Sequence, residues 1–204
     1  MSKSTYAVSA ILAASLFFNT VEAVPCRAIA LSGGGSMGSW EAGVMWGLTH
    51  YGNPEDYYWE VMTGVSAGSI NTAGGAAFAP WESPEMSEWL SNNWASLHNG
   101  DIYRMWPEES VTYSLKNNVS LFDTTPALNY LRGLLAPFPE GFKKRVSIAA
   151  DDLEKGEVVI FDQTNTSFYD LAQAALSSSS IPVVFPPQHF KGRVLSDGGT
   201  IWDV

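Results

Sequence analysis

The sequence predicts an α/β fold, with helices laid against a mainly parallel sheet. Two observations carry that expectation. A short apolar run ending in glycines and followed by a helical pattern occurs twice in succession. Strand, glycine turn and helix in that order are the unit from which parallel sheets are built. The chain is also of a size and composition to hold one core, with 204 residues of which 46% are hydrophobic.

The elements follow in order. Arg27 to Leu31 reads as a buried strand running into Gly33, Gly34 and Gly35. Ser39 to His50 carries Ala42, Val44, Met45, Trp46 and Leu48 and suits a well-buried helix. Trp59 to Met62 is a second strand running into Gly64, and Ser66 to Phe78 is a small-residue helix able to pack close to its neighbours. Ser83-Pro84-Glu85 opens a further helix, with an N-cap candidate, proline at the first helical position and acid in the first turn. Met86, Trp89, Leu90, Trp94 and Leu97 form one stripe on it. A helix starts at Thr124/Thr125-Pro126 and runs through Leu135. Val146 to Ala150 and Glu157 to Phe161 read as strands around a turn at Glu154-Lys155-Gly156. Phe168 to Leu176 is helical, and Val194-Leu195 is a last strand that delivers Asp197.

Three motifs carry chemistry. Gly64-Val65-Ser66-Ala67-Gly68 is a G-x-S-x-G at a strand-to-helix junction. A serine held on so sharp a turn crowds the residues two before and two after it, and glycine relieves that crowding. The following helix points its positive end at the serine. Gly33, Gly34 and Gly35 expose successive N–H groups at a helix start, a nest for a phosphate or an oxyanion. With Gly38 they also match the G-x-G-x-x-G dinucleotide fingerprint. The acid that would hold a ribose is missing from the end of the second strand, however: Glu60 starts that strand and Ser66 follows it. No G-K-[ST] is present. Asp197-Gly198-Gly199 is a turn by itself; beside a nucleophile and an anion nest its carboxylate becomes a candidate base. Of the histidines, His50 and His98 end helices, whereas His189 after Pro186-Pro187 is a candidate triad base. Asp151, Asp152 and Glu154 read as an acidic hairpin turn in preference to a calcium site.

On these residues the chain resembles the patatin-like phospholipase family. The matching segments are Leu31-Ser32-Gly33-Gly34-Gly35 with Gly38, and Gly64 through Asn71. Leu121-Phe122-Asp123-Thr124 follows, then Ser179-Ser180-Ile181-Pro182 with Phe185-Pro186-Pro187, and Asp197-Gly198-Gly199. The resemblance covers about residues 27 to 199 in the family's order. It implies a three-layer α/β/α patatin-like fold with a mainly parallel sheet. It implies a Ser-Asp dyad, with Ser66 as nucleophile and Asp197 as base, and an oxyanion hole from the amides of Gly33, Gly34 and Gly35. The implied activity is phospholipase A-type hydrolysis of lipid acyl esters, with no metal and no cofactor. Two features depart from the family. Met37 stands where a cation is common, which weakens a phosphate-headgroup preference. The chain also stops at Val204, soon after Asp197, so a fold truncated at its C-terminus is expected. The rival readings are a Ser-His-Asp esterase using His189 and an inactive lipid-binding or storage protein.

The remaining features bear on partners. The net charge of −10, with Lys143-Lys144-Arg145 as the longest basic run, argues against nucleic acid and against electrostatic attraction to anionic lipid. Any membrane contact is therefore expected to be apolar. Residues 1–23 read as a secretory signal: Lys3, an apolar run from Ala7 to Phe18, and Val21-Glu22-Ala23 as the cleavage site. Residues 24–204 would then form the mature domain of an exported chain. Cys26 is the only cysteine, so no internal disulfide forms. Asn118 and Asn165 stand in glycosylation tripeptides. The segment from Trp81 to Trp106 is dense in tryptophan, which reads either as core packing or as a lipid-facing surface.

Overall fold

A computed structural model of the chain describes residues 26–107 and 110–201. The expected leader and its cleavage site lie outside the described residues. The described chain is a three-layer α/β/α structure around a mixed six-stranded sheet. Strands β1 (Ala28–Leu31), β2 (Val61–Val65) and β5 (Arg145–Asp152) lie side by side and parallel. β6 (Glu157–Asp162) and β8 (Arg193–Asp197) pair antiparallel with β5, and β7 (Gln188–Phe190) pairs antiparallel with β8. Helices α1 (Gly38–Tyr51) and α2 (Ala67–Gly75) follow β1 and β2, as the repeated strand–turn–helix pattern predicts. Beyond them come α3 (Ser83–Ser96), the short α4 (Asn99–Ile102), α5 (Val111–Asn117), α6 (Thr125–Leu135) and α7 (Leu171–Ser178). A separate two-stranded ribbon, β3 (Arg104–Met105) with β4 (Phe122–Asp123), was not foreseen; strands of two residues have no periodicity to read.

β5 organises the sheet. Its residues 147–152 pair along their whole length with β6, which therefore occupies one edge. The other edge is shared. β2 fills its first part, ending with Val65 opposite Ala149. β8 fills the rest from the opposite direction, ending with Asp197 opposite Ala150. The C-terminal ends of β2 and β8 thus meet head to head at adjacent positions of one strand. Register in a buried sheet is fixed, because a one-residue slip would turn every side chain to the other face.

α2 sits at the centre of the molecule because its residues are small. A Cβ on Gly68 would lie 2.3 Å from the Leu31 carbonyl oxygen, and one on Gly64 would lie 2.3 Å from that of Gly68. The helix therefore lies directly against β1 and the end of β2, at a distance only bare backbone allows. α7 packs beside it on β5, β7 and β8, and α6 rests on α4 and α7. Met45, Met62, Met86, Ile148, Leu171 and Leu195 fill the space between, all fully buried.

The tryptophan-dense segment is mostly core. Trp89 packs against Phe78 and Phe138, with ring centroids 5.5 Å apart in each case. Trp94 donates its indole N–H to Asn71 Oδ1 at 2.7 Å, and Trp106 Nε1 is buried. Only Trp81 stands out in solvent among these four. Of the glycosylation tripeptides, Asn118 has a buried amide nitrogen, while Asn165 Nδ2 donates to the Ile160 carbonyl at 2.9 Å on an exposed turn.

Lys144 is the one buried lysine among the described residues, with its ammonium 3.3 Å from the Met86 thioether. Burial pushes its pKa down to about 8, against a weaker upward pull from Glu82. A lysine whose folded pKa lies below its unfolded value destabilises the fold fully below the folded pKa, and not at all above the unfolded one. Lys144→Met should therefore stabilise the protein at pH 7 by on the order of 2 kcal/mol. The gain should fade between about pH 8 and 10.5 as the unfolded chain also loses its proton. Thermal melts of both proteins across that range check it; a lower Tm for the variant at pH 7 would contradict it.

Candidate active site

Ser66 sits where β2 gives way to α2. Its backbone has φ 50° and ψ −120°, a left-handed conformation that a non-glycine residue adopts at a cost of about 1–3 kcal/mol. The conformation persists because both sides of the residue are tied down. The Ser66 N–H donates to Ser178 Oγ at 2.9 Å, and the Ser66 carbonyl accepts from the Ser69 N–H at 3.0 Å and the Ser69 hydroxyl at 2.6 Å. The Gly68 N–H donates to the Ser32 carbonyl at 3.2 Å, holding the start of α2 against the chain that leaves β1.

Asp197 arrives from the other side. Ser66 Oγ donates to Asp197 Oδ2 at 2.7 Å, and both residues are buried. The Gly199 N–H donates to the second carboxylate oxygen at 2.9 Å, which orients the group. The Asp197 N–H donates to the Ser180 carbonyl at 2.9 Å. A Cβ on Gly198 would stand 2.5 Å from the Ala149 carbonyl oxygen, so the chain must leave β8 through glycine. The same carbonyl accepts from Ser178 Oγ at 2.5 Å. One backbone oxygen of β5 therefore touches the supports of both partners.

Asp151, two positions further along β5, supports the turn after Asp197. Its Oδ2 accepts from the Thr200 hydroxyl, whose oxygen also lies 2.9 Å from the Asp197 carbonyl oxygen. Burial pushes the Asp151 carboxyl above its usual range, against the pull of that bond. Asp152 pairs with Arg193 at 2.7 Å. Asp151 and Asp152 are thus spent on structure. Among the described residues no group of three or more His, Cys, Asp or Glu is arranged to hold a metal.

A cavity of about 360 Å3 opens onto Ser66. Its walls are mostly apolar, drawn from α2, α3, α4, α6 and α7; Ile70, Leu90, Trp94, Ile102, Leu131 and Leu134 are representative. Among the described residues, no Lys, Arg, Asp or Glu lines it. Of the three glycines expected to face the nucleophile, Gly35 lines the cavity beside Ser66, together with Ser36, whereas Gly33 and Gly34 do not. Gly34 and Gly35 have φ of +153° and +58°, which only glycine adopts without strain. Gly38 starts α1 where a Cβ would lie 2.6 Å from the Trp94 ring.

His189 is exposed on β7 opposite Val194 and does not line the cavity. Between Ser66 and the carboxylate there is a single hydrogen bond and no imidazole. Two contributors escaped the sequence reading. Ser178 lay hidden in a run of four serines, with nothing to mark which one reaches the elbow. His98 lines the cavity at an exposed position, which a helix-end reading did not foresee.

A model of the patatin-like phospholipase family matches residues 29–203, which takes in the glycine loop, the elbow and Asp197. No curated protein sequence matches the chain significantly. Among solved structures, VipD from Legionella pneumophila is similar, with 16% identity and a TM-score of 0.51 over 89% of this chain. Full-length ExoU of Pseudomonas aeruginosa, solved with SpcU, shows 19% identity and a TM-score of 0.43 over 79% of this chain. The chain spans 47% of the VipD chain and 39% of the ExoU chain. The VipD likeness shows the fold. The family match over most of the chain shows more: this protein belongs to the patatin-like phospholipase family.

Proposed function

We propose that the protein is a lipid acyl hydrolase that works through a Ser66–Asp197 dyad. Membership of the family supports lipid hydrolysis in general terms. The observation that carries the finer reading is the 2.7 Å bond from the Ser66 hydroxyl to a buried carboxylate. A nucleophile and its base within hydrogen-bond reach, with a third group orienting the base, is the arrangement that activates a hydroxyl. Here the Gly199 amide orients the base.

In this reading the acyl chain lies in the apolar cavity, where burying each methylene contributes about 0.8 kcal/mol. The ester carbonyl then stands over Ser66. Asp197 takes the hydroxyl proton as Oγ attacks the carbonyl carbon, and returns it to the departing alcohol. Water repeats the sequence on the acyl-enzyme. The developing oxyanion is met by amides of the Gly33–Gly35 loop, Gly35 being the member that lines the cavity, and by the positive end of α2. The chemistry needs no metal and no cofactor. The chain acts after export, with residues 1–23 removed and Val24 as the mature N-terminus; N-terminal sequencing of exported protein checks that start, and a chain still carrying Ala7 to Phe18 would contradict it.

Ser66→Ala and Asp197→Asn should each lower kcat for a dissolved short-chain ester by at least about 10²–10⁴-fold in folded protein. His189→Ala should leave it nearly unchanged. Activity should persist below about pH 6, where an ordinary imidazole base is protonated. Steady-state kinetics and circular dichroism on the three variants check this. Equal damage from His189→Ala and Asp197→Asn would favour the triad instead. Full activity of Ser66→Ala would remove the hydrolase reading.

A further inference from the structure

Several exposed apolar side chains lie on, or close along the chain to, segments that line the cavity. Met37 (65% exposed) and Trp40 (69%) each adjoin a serine that lines it, Ser36 and Ser39. Ile181 lines the cavity and is itself exposed; Val183 (58%) lies two residues on. Val119 (62%) stands beside Val183, because Ser120 bridges to Val183 and the Leu121 N–H donates to the Val183 carbonyl at 2.8 Å.

The two valines are unusual in another way. Val119 has φ 58° and Val183 has φ 71°. A β-branched residue in the left-handed region is a true outlier, because its branched Cβ crowds the backbone. Stability alone would favour glycine or asparagine at both positions. The sequence instead keeps valine at both, where the side chain gains no burial in the isolated chain.

We propose that Met37, Trp40, Val119, Ile181 and Val183 form a rim that docks on a zwitterionic lipid surface and seats the cavity mouth in it. Ile181 belongs both to the rim and to the lining of the apolar cavity that, on the hydrolase reading above, takes the acyl chain. Among the described residues the cavity lining contains no Lys, Arg, Asp or Glu, and the whole chain carries −10. An anionic bilayer would repel it, so attraction comes from apolar burial and from tryptophan's preference for the interface. A lipid leaving the layer would enter the cavity without first crossing water.

The test uses the full chain in a Ser66→Ala background, so that binding is read without turnover. Flotation with phosphatidylcholine vesicles measures partitioning. Trp40→Ser and the double change Val119→Asn with Val183→Asn should each weaken it at least tenfold, whereas Trp81→Ser, which alters an exposed tryptophan away from the cavity, should not. Asparagine tolerates left-handed φ, so the double variant should melt no lower than its parent while binding less. With Ser66 present, the same rim changes should leave hydrolysis of a dissolved short-chain ester within about twofold. The proposal is overturned if the parent does not float, if rim changes leave flotation intact, or if Trp81→Ser is equally damaging. It is also overturned if anionic vesicles bind better, or if the rim instead mediates self-association in sedimentation. Flotation that depends on the rim in a chain that hydrolyses no ester would leave the surface standing and remove only the hydrolase reading.

Discussion

The structure depends on how two strands share one edge of β5. Because β6 takes the other edge along residues 147–152, β2 and β8 must meet end to end, with Val65 opposite Ala149 and Asp197 opposite Ala150. Residues 131 apart in sequence are thereby brought to a 2.7 Å hydrogen bond. The register is held by the burial of the whole sheet, so the site inherits its precision from the core instead of from a mobile loop. The Ala149 carbonyl lies at the junction: it accepts from Ser178 Oγ, which in turn receives the Ser66 amide, and it leaves room only for glycine at position 198.

That junction explains why an acid meets the serine directly. The end of β8 is already within reach of the elbow, so an imidazole inserted between them would push the two strand ends apart. The strained Ser66 conformation, the Gly64–Gly68 contact and the start of α2 belong to the same constraint. Each lets the backbone approach so closely that the hydroxyl projects toward the carboxylate while the helix end faces the same space. The apolar walls of the adjoining cavity strengthen these electrostatic interactions, because they polarise less than bulk water.

Much of this was legible in the residues. The repeated strand–turn–helix pattern gave β1, α1, β2 and α2, and the Gly64/Ser66/Gly68 spacing marked the elbow for a steric reason the structure repeats. The turn at Glu154-Lys155-Gly156 marked the β5–β6 hairpin. What stayed hidden was of two kinds. β3, β4 and β7 are too short to show periodicity, and β7 follows two prolines. The antiparallel insertion of β8 beside β5 is a long-range pairing, for which local pattern holds no signal. For the same reason Ser178 could not be told from its three serine neighbours, nor could the tryptophan-dense segment be told from a surface. Trp89 and Trp94 are buried by partners far away in sequence, Phe138 and Asn71.

The account's central claim is that Ser66 is activated by Asp197 alone. It is tested most directly by the pH dependence of fluorophosphonate labelling in a chain whose three histidines, His50, His98 and His189, are all replaced by glutamine. Labelling reads the reactivity of the serine without the later steps of turnover. The account predicts one label per chain, carried by Ser66, with a rate and a pH profile matching those of the parent. Loss of labelling in a folded histidine-free chain would contradict it. So would a parent profile that falls with a midpoint near 6.5 and loses that midpoint when the histidines are removed, because the proton would then be taken by an imidazole.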